Sequence, residues 1–200
     1  NSTFSISDDV LDPRPETEHI VEIANNFILE KGYKSFIELG TGSGCIILSI
    51  LKENKNLTAV GVDISPDAIN IAKKNSKDMN LEKRSSFLMS NWFSSIYSSY
   101  DLIISNPPYI PSDEIITLSK TVKNFDPLIS LDGGQDGLKC YKEIAQDINR
   151  IINKNGRVIL EIGYNQAHDV IKIFESKEFK LLKKYNDINN LDRILTFESK

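Results

Sequence analysis

The stretch Ser35–Asp63, SFIELGTGSGCIILSILKENKNLTAVGVD, decides the fold. Ser35–Leu39 is an apolar run of strand length. It ends in glycines at 40, 42 and 44, and a helix is expected from about Ser43 to Asn54. Thr58–Val62 is a second short apolar run, closed by Asp63. Strand, glycine turn, helix and strand form the unit from which parallel sheets are assembled. Downstream, Ser65-Pro66 opens a helix to about Lys77, with serine at the cap and proline at the first helical position. Ser86–Met89 and Tyr100–Ser105 read as the third and fourth strands. A long irregular stretch, Asn106–Asp136, precedes a helix over Gly137–Asn153. A strand at Arg157–Ile162 follows the Asn155-Gly156 turn, then a helix at Asn165–Ser176. Two last strands, Phe179–Tyr185 and Arg193–Phe197, are joined by the polar loop Asn186–Asn190. Upstream, Glu16–Glu30 places Ile20, Ile23, Ala24 and Phe27 on one helical face.

Alternating strands and helices imply an α/β, doubly wound, Rossmann-like fold with both sheet faces covered. The seven strands should form a mostly parallel sheet with an antiparallel edge strand, because no helix separates the last two. Ligands of such sheets lie beyond the carboxyl ends of the strands, at the switch point of strand order. The chemistry is therefore expected in the loops after Leu39, Val62, Met89 and Ser105.

Composition narrows the function classes. The chain has 200 residues, 40% hydrophobic and 26% charged, as expected for one soluble domain. A net charge of −4 argues against a dedicated nucleic-acid binder, whose phosphate contacts normally show as a basic excess. The longest apolar run, near Cys45–Leu51, is far short of the roughly 20 residues of a membrane span. The chain opens with no charged-then-apolar leader, and two cysteines make no disulfide framework, so a cytoplasmic protein is expected. Two histidines and no cysteine cluster leave no metal site to assemble. The excess of lysine over arginine and the abundance of Asn and Ile are read as compositional bias. The first residue is Asn1 rather than Met, so a fragment is expected.

Glycine at 40, 42 and 44 lets the backbone turn tightly and approach a ligand with no Cβ in the way. The spacing is G-x-G-x-G rather than the dinucleotide G-x-G-x-x-G. Asp63 stands 19 residues after the last glycine, where an acid receives ribose hydroxyls. These features allow a dinucleotide or S-adenosylmethionine. The fourth strand runs straight into Asn106-Pro107-Pro108-Tyr109. An amide or exocyclic amino nitrogen is planar and poorly nucleophilic. A catalyst can accept its two N–H hydrogens and aim the lone pair at an electrophilic methyl. Asn106 offers one carbonyl acceptor and the Pro107 main chain a second. The two prolines stiffen the turn, and Tyr109 offers a flat face for a planar group.

The Asn106–Tyr109 segment resembles the N-P-P-Y signature of amino-group methyltransferases. Pro13–Glu18, Ile37–Ile46, Gly61–Ala68, Ser90–Phe93, Ser105–Pro111, Leu131–Gly137 and Glu161-Ile162-Gly163 together resemble the HemK/PrmC family. Members of that family methylate the glutamine of the Gly-Gly-Gln loop in peptide chain release factors. The resemblance runs from about Val10 to Phe197 and implies the class I S-adenosylmethionine-dependent methyltransferase fold, with S-adenosylhomocysteine as product and no metal. It further implies that Gly40, Thr41, Gly42, Ser43 and Gly44 line the methionine part of the cofactor. Asp63 would hold the ribose, and Trp92 would flank the adenine. Asn106 would touch both cofactor and substrate, and Pro107, Pro108 and Tyr109 would complete the amide pocket. Arg14, Thr17 and Glu18 would close over the cofactor. The chain departs from the family pattern at Asn91 and Asp126-Pro127, where Asp and Glu-Pro are usual. It departs again in Asp187–Arg193, which keeps the acid and the arginine but lacks Ala-Gly. Residues 1–18 are expected to be a segment leading into a catalytic domain at 19–200, without the family's N-terminal helical domain.

The alternatives are a nucleic-acid amino-group methyltransferase using the same pocket, and a cofactor-binding module that acts by interaction. Cys45 is expected to pack, and His19 and His168 to lie at the surface. Glu38 is expected either to reach the cofactor through water or to support the loop. Gly133-Gly134-Gln135 reproduces the presumed substrate's own tripeptide. It reads as a glycine turn after Asp132, with competition for the site or self-methylation as the sharper alternative.

Overall fold

The computed structural model describes residues 15–115 and 130–200. Arg14 and the Asp126-Pro127 pair lie outside the described residues. The elements in chain order are α1 (Pro15–Lys31), β1 (Ser35–Leu39), α2 (Cys45–Glu53), β2 (Thr58–Asp63), α3 (Pro66–Asp78), β3 (Ser85–Met89) and β4 (Tyr100–Ser105). A single turn, α4 (Ser112–Ile115), is followed by α5 (Lys139–Ile151), β5 (Ile152–Glu161), α6 (Ala167–Glu175), β6 (Phe179–Asn186) and β7 (Asp192–Ser199).

The seven strands form one sheet in the order β3-β2-β1-β4-β5-β7-β6. The first five pair in parallel, and β7 is antiparallel to both neighbours. The antiparallel strand expected near the edge is thus β7, set one place in from the rim that β6 forms.

Successive residues of a strand face opposite sides of the sheet. Phe36, Leu102, Ile104 and Ile159 join one core with α1, α2 and α3. Ile37, Ile103, Val158 and Leu160 join a second core, on the other face, with α5 and α6. Burial on both faces explains why these strands read as near-continuous apolar runs. Helix α5 supplies Tyr141, Ile144, Ala145, Ile148 and Ile151, the spacing of one apolar helical stripe. Ser65 caps α3 by accepting a hydrogen bond from the Ala68 N–H, with Pro66 at the first helical position, as the sequence predicts.

One boundary differs from expectation. The Asn155-Gly156 pair does not precede β5 but lies within it. Tyr100 pairs with Ile152 and Leu102 with Arg157, so β5 carries extra residues there. Asn155 takes a left-handed φ of 60° that absorbs them.

Candidate active site

Strand order reverses between β1 and β4, and Leu39 and Ser105 pair as the last residues of the two strands. Gly40 and Asn106 therefore leave the sheet side by side. Ser105 fixes that level by donating its hydroxyl to the Leu39 carbonyl at 3.0 Å. Thr41 N–H donates to the Val62 carbonyl at 2.9 Å, drawing the end of β2 into the same rim.

A cleft of about 470 Å3 opens at this point. Gly40, Thr41, Gly42, Ser43, Asp63 and Trp92 line it together with Asn106, Pro107, Pro108 and Tyr109. Of the residues anticipated from sequence, Gly44 alone lies behind the lining. It takes φ 77° as the cap residue of α2, and a Cβ there would meet the Ala72 Cβ at 3.2 Å. Its role is to let α2 start against α3. A Cβ on Gly40 would stand 3.9 Å from the Asn106 carbonyl oxygen, so the glycine loop and the Asn-Pro corner face one another directly.

The Asp63 carboxylate accepts from Gly42 N–H and from Ser65 N–H, each at 2.9 Å. Each oxygen still has acceptor capacity for ligand hydroxyls. Behind the loop, Glu38 is buried and accepts from the Thr41 hydroxyl at 2.5 Å and the Ile47 N–H at 3.3 Å. Burial pushes its carboxyl up to about 8, against the lowering effect of those two bonds, and nearby Asp63 raises it further. Glu38 thus supports the loop from within the cleft wall. Burial also pushes the Cys45 thiol up to about 12, so it stays protonated; the half-buried side chain packs against the core under α2 and lines the cleft. Thr17 lines the cleft, and Glu18 is exposed on α1.

Trp92 takes a left-handed φ of 46°, and its indole N–H donates to Glu143 of α5 at 2.7 Å. Across the cleft, the Tyr109 hydroxyl donates to Glu161 Oε1 at 3.3 Å. It accepts from Arg193 Nη1 at the same distance. Arg193 also pairs with Asp187 at 3.3 Å. The arginine retained in the divergent Asp187–Arg193 loop therefore reaches the tyrosine of the Asn-Pro-Pro-Tyr corner, braced by the retained acid. Sequence reasoning did not find Glu143 as a partner of Trp92, nor the link between Arg193 and Tyr109. No local motif records either.

The Gly133-Gly134-Gln135 segment is a turn. Gly134 N–H donates to Asp132 at 2.9 Å and Gly137 N–H to the Gly134 carbonyl at 3.1 Å. Gln135 is exposed and does not line the cleft. A Cβ on Gly133 would come within 2.8 Å of the Tyr109 backbone, so this glycine permits the turn to back the substrate corner.

The residues present fit S-adenosylmethionine. Ser43 Oγ is buried in the lining with no nitrogen or oxygen partner among the described residues, and only the weakly bonding Cys45 thiol approaches it. Among the described residues five carboxylates (Asp63, Asp67, Asp132, Glu143 and Glu161) line the cleft against one lysine, Lys139, while the buried Glu38 keeps its proton at neutral pH. Such a field suits a cationic sulfonium ligand and opposes a polyphosphate one. No group of His, Cys, Asp and Glu among the described residues could hold a metal ion.

A doubly wound sheet whose switch point joins this glycine loop to this corner is that of a class I S-adenosylmethionine-dependent methyltransferase. Comparison agrees: residues 30–198 match a family model described as a methyltransferase domain. A solved methyltransferase from Pyrococcus furiosus superposes with a TM-score of 0.72 at 15% identity, covering 98% of this chain and 87% of that one. More specifically, the chain belongs to the release factor glutamine methyltransferase family. It is 43% identical over 196 residues to the release factor glutamine methyltransferase of Agrobacterium fabrum, covering 96% of this chain and 68% of that protein. It is 40% identical over 172 residues to the one from Rhodospirillum rubrum, covering 86% and 53%. The chain thus spans between about half and two thirds of the length of these relatives.

Proposed function

We propose that this chain transfers a methyl group from S-adenosylmethionine to the side-chain amide nitrogen of the glutamine in the Gly-Gly-Gln loop of peptide chain release factors. The observation that carries the reading is the shared rim: the glycine loop and Asn106-Pro107-Pro108-Tyr109 leave paired ends of β1 and β4 and line one cleft. When bound, the cofactor supplies an electrophilic methyl on a positively charged sulfur. The Asn106 carboxamide makes no hydrogen bond to another described residue, so its oxygen is available to accept one N–H of the substrate amide. The Pro107 carbonyl accepts the other, and the Tyr109 ring packs on the amide plane. Held this way, the nitrogen lone pair points toward the cofactor side of the cleft. As the nitrogen would take up the methyl released from the sulfur, positive charge would grow on it, and the fixed Asn106 and Pro107 acceptors would stabilise that charge. One amide proton then leaves to water.

In this reading Gly40–Ser43 line the methionine part of the cofactor, Asp63 receives the ribose hydroxyls and Trp92 flanks the adenine. The acidic cleft disfavours a nucleic-acid substrate, whose phosphates it would repel. No helix among the described residues is long and apolar enough to cross a membrane. A cytoplasmic site of action follows from the proposed substrate. The test uses cofactor labelled in the methyl group, offered with release factor, DNA or ribosomal RNA. Label is expected on the release factor glutamine, and label in nucleic acid alone would overturn the assignment.

A further inference from the structure

The carboxamide of Gln166 is buried, at 6% exposure, immediately before α6. It makes no cap bond to its own helix. It turns inward and joins three chain segments. Its Nε2 donates to the Tyr109 carbonyl at 2.8 Å and to the Gly137 carbonyl at 3.2 Å. Its Oε1 accepts from Gly163 N–H at 3.0 Å. The Tyr141 hydroxyl, which donates to the Glu161 carbonyl at 3.0 Å, lies 3.5 Å from the same oxygen. Both amide hydrogens are used, and both face main-chain carbonyls of different loops.

The backbone around this amide is shaped to admit it. A Cβ on Gly137 would stand 2.4 Å from Gln166 Nε2 and 2.6 Å from the Tyr109 carbonyl oxygen. One on Gly163 would stand 2.8 Å from Gln166 Oε1. The Tyr109 carbonyl belongs to the residue that closes the Asn-Pro-Pro-Tyr corner. Its ring is gripped separately through the hydroxyl by Glu161 and Arg193. Main chain and side chain of Tyr109 are therefore anchored independently, with Gln166 holding the carbonyl of the Tyr109–Ile110 peptide while the Ile110 N–H donates to the Leu131 carbonyl at 3.0 Å.

We infer that Gln166 is a positioning residue for methyl transfer. It clasps the Tyr109 peptide to the Gly137 and Gly163 loops, and so sets the distance between the amide acceptors and the cofactor loop. The inference rests on the acceptor role proposed above for that corner. Gln166 itself touches neither the glycine loop nor Asp63, so its effect belongs to the acceptor half of the cleft. Displacing reacting groups by about an ångström can cost about 100-fold in rate.

The test compares wild type with Gln166→Met, which keeps the length without hydrogen bonds, and Gln166→Glu, which keeps the shape. At neutral pH the Gln166→Glu variant sets a carboxylate against two carbonyls; when protonated it regains one donor. Turnover on release factor should fall by about 10–100-fold in both variants, while S-adenosylhomocysteine affinity by calorimetry stays at the wild-type value. Relative to wild type, only Gln166→Glu should recover as the pH is lowered. Unchanged turnover in Gln166→Met would overturn the inference. So would a parallel loss of S-adenosylhomocysteine binding in both variants, which would make Gln166 a folding residue. If wild type labels nucleic acid instead, the proposed substrate fails; the same comparison on that acceptor still decides the role of Gln166.

Discussion

At the scale of single residues, two side chains in the cleft make separable demands. In the proposed function Asn106, which lines the cleft, accepts an N–H whose bond strengthens as nitrogen becomes positive. The Asn106→Ala variant should lose about 10²–10³ in turnover, as when one transition-state partner is removed; single-turnover rates with saturating cofactor would show it, and an unchanged rate would refute the role. Glu38 acts on stability. Its buried carboxyl holds its proton up to about pH 8, against an ordinary value of 4.5 in the unfolded chain. Between those values the folded state keeps a proton that the unfolded state has released. The contribution of Glu38 to stability is therefore full below about 4.5 and falls as pH rises toward about 8, by at most about 1.4 kcal/mol per pH unit. Melting temperatures without added cofactor should show this slope in wild type and a flatter profile in Glu38→Gln; identical profiles would show that another group carries it. The residues that sequence revealed are those whose chemistry is local: Gly40, Gly42, Asp63 and Asn106-Pro107-Pro108-Tyr109 sit in short motifs at strand ends. Those it did not reveal act across the chain. Trp92 meets Glu143 at a separation of 51 residues, Tyr109 meets Gln166 at 57 and Arg193 at 84. Such pairings are created by the sheet order and leave no periodic trace.

At the scale of elements, β2 shows how the sheet and the cofactor loop are coupled. Gly61 lies in the middle of this strand, and a Cβ there would come 2.7 Å from both Phe87 Cδ1 and Thr41 Oγ1. Phe87 is buried in the core under α3, and Thr41 is already bonded to Glu38. The Gly61→Ala variant must therefore move either core or loop. It is expected to destabilise the protein by about 1–3 kcal/mol, as overpacking does, measured by denaturant midpoint, and to weaken S-adenosylhomocysteine binding in the same step. A loss of stability with unaltered affinity would show that Phe87 alone yields. The element order was legible because both faces of the sheet are covered, which makes each parallel strand a short apolar run between helices of clear period. The bulge in β5 and the insertion of β7 between β5 and β6 were not. An Asn-Gly pair reads equally as a turn or as a left-handed bulge residue, and strand order depends on pairings between segments far apart in sequence.

For the whole molecule, the cofactor cleft spans loops from β1, β2 and β4, together with Glu143 of α5, so that a ligand there ties both helical layers to the sheet. Occupancy should then raise the stability of the entire domain. Binding to the native state alone stabilises by about 2.7 kcal/mol at a ligand concentration 100 times the dissociation constant. For a chain of this size each kcal/mol shifts the melting midpoint by about 2–4 °C. S-adenosylhomocysteine at that excess should therefore raise it by about 5–11 °C. A nicotinamide dinucleotide is the discriminating control. Its pyrophosphate would meet five lining carboxylates and one lysine among the described residues, so it should give no shift. The Asp63→Ala variant sharpens the reading: it removes the carboxylate that anchors Gly42 and Ser65 and that, in the proposed function, receives the ribose. Its shift at the same ligand concentration should shrink, because a lost charged hydrogen bond weakens binding by about 1.5–3 kcal/mol. A full shift with the dinucleotide, or an undiminished one in Asp63→Ala, would mean that the cleft recognises its ligand by groups other than the glycine loop and the acid that braces it.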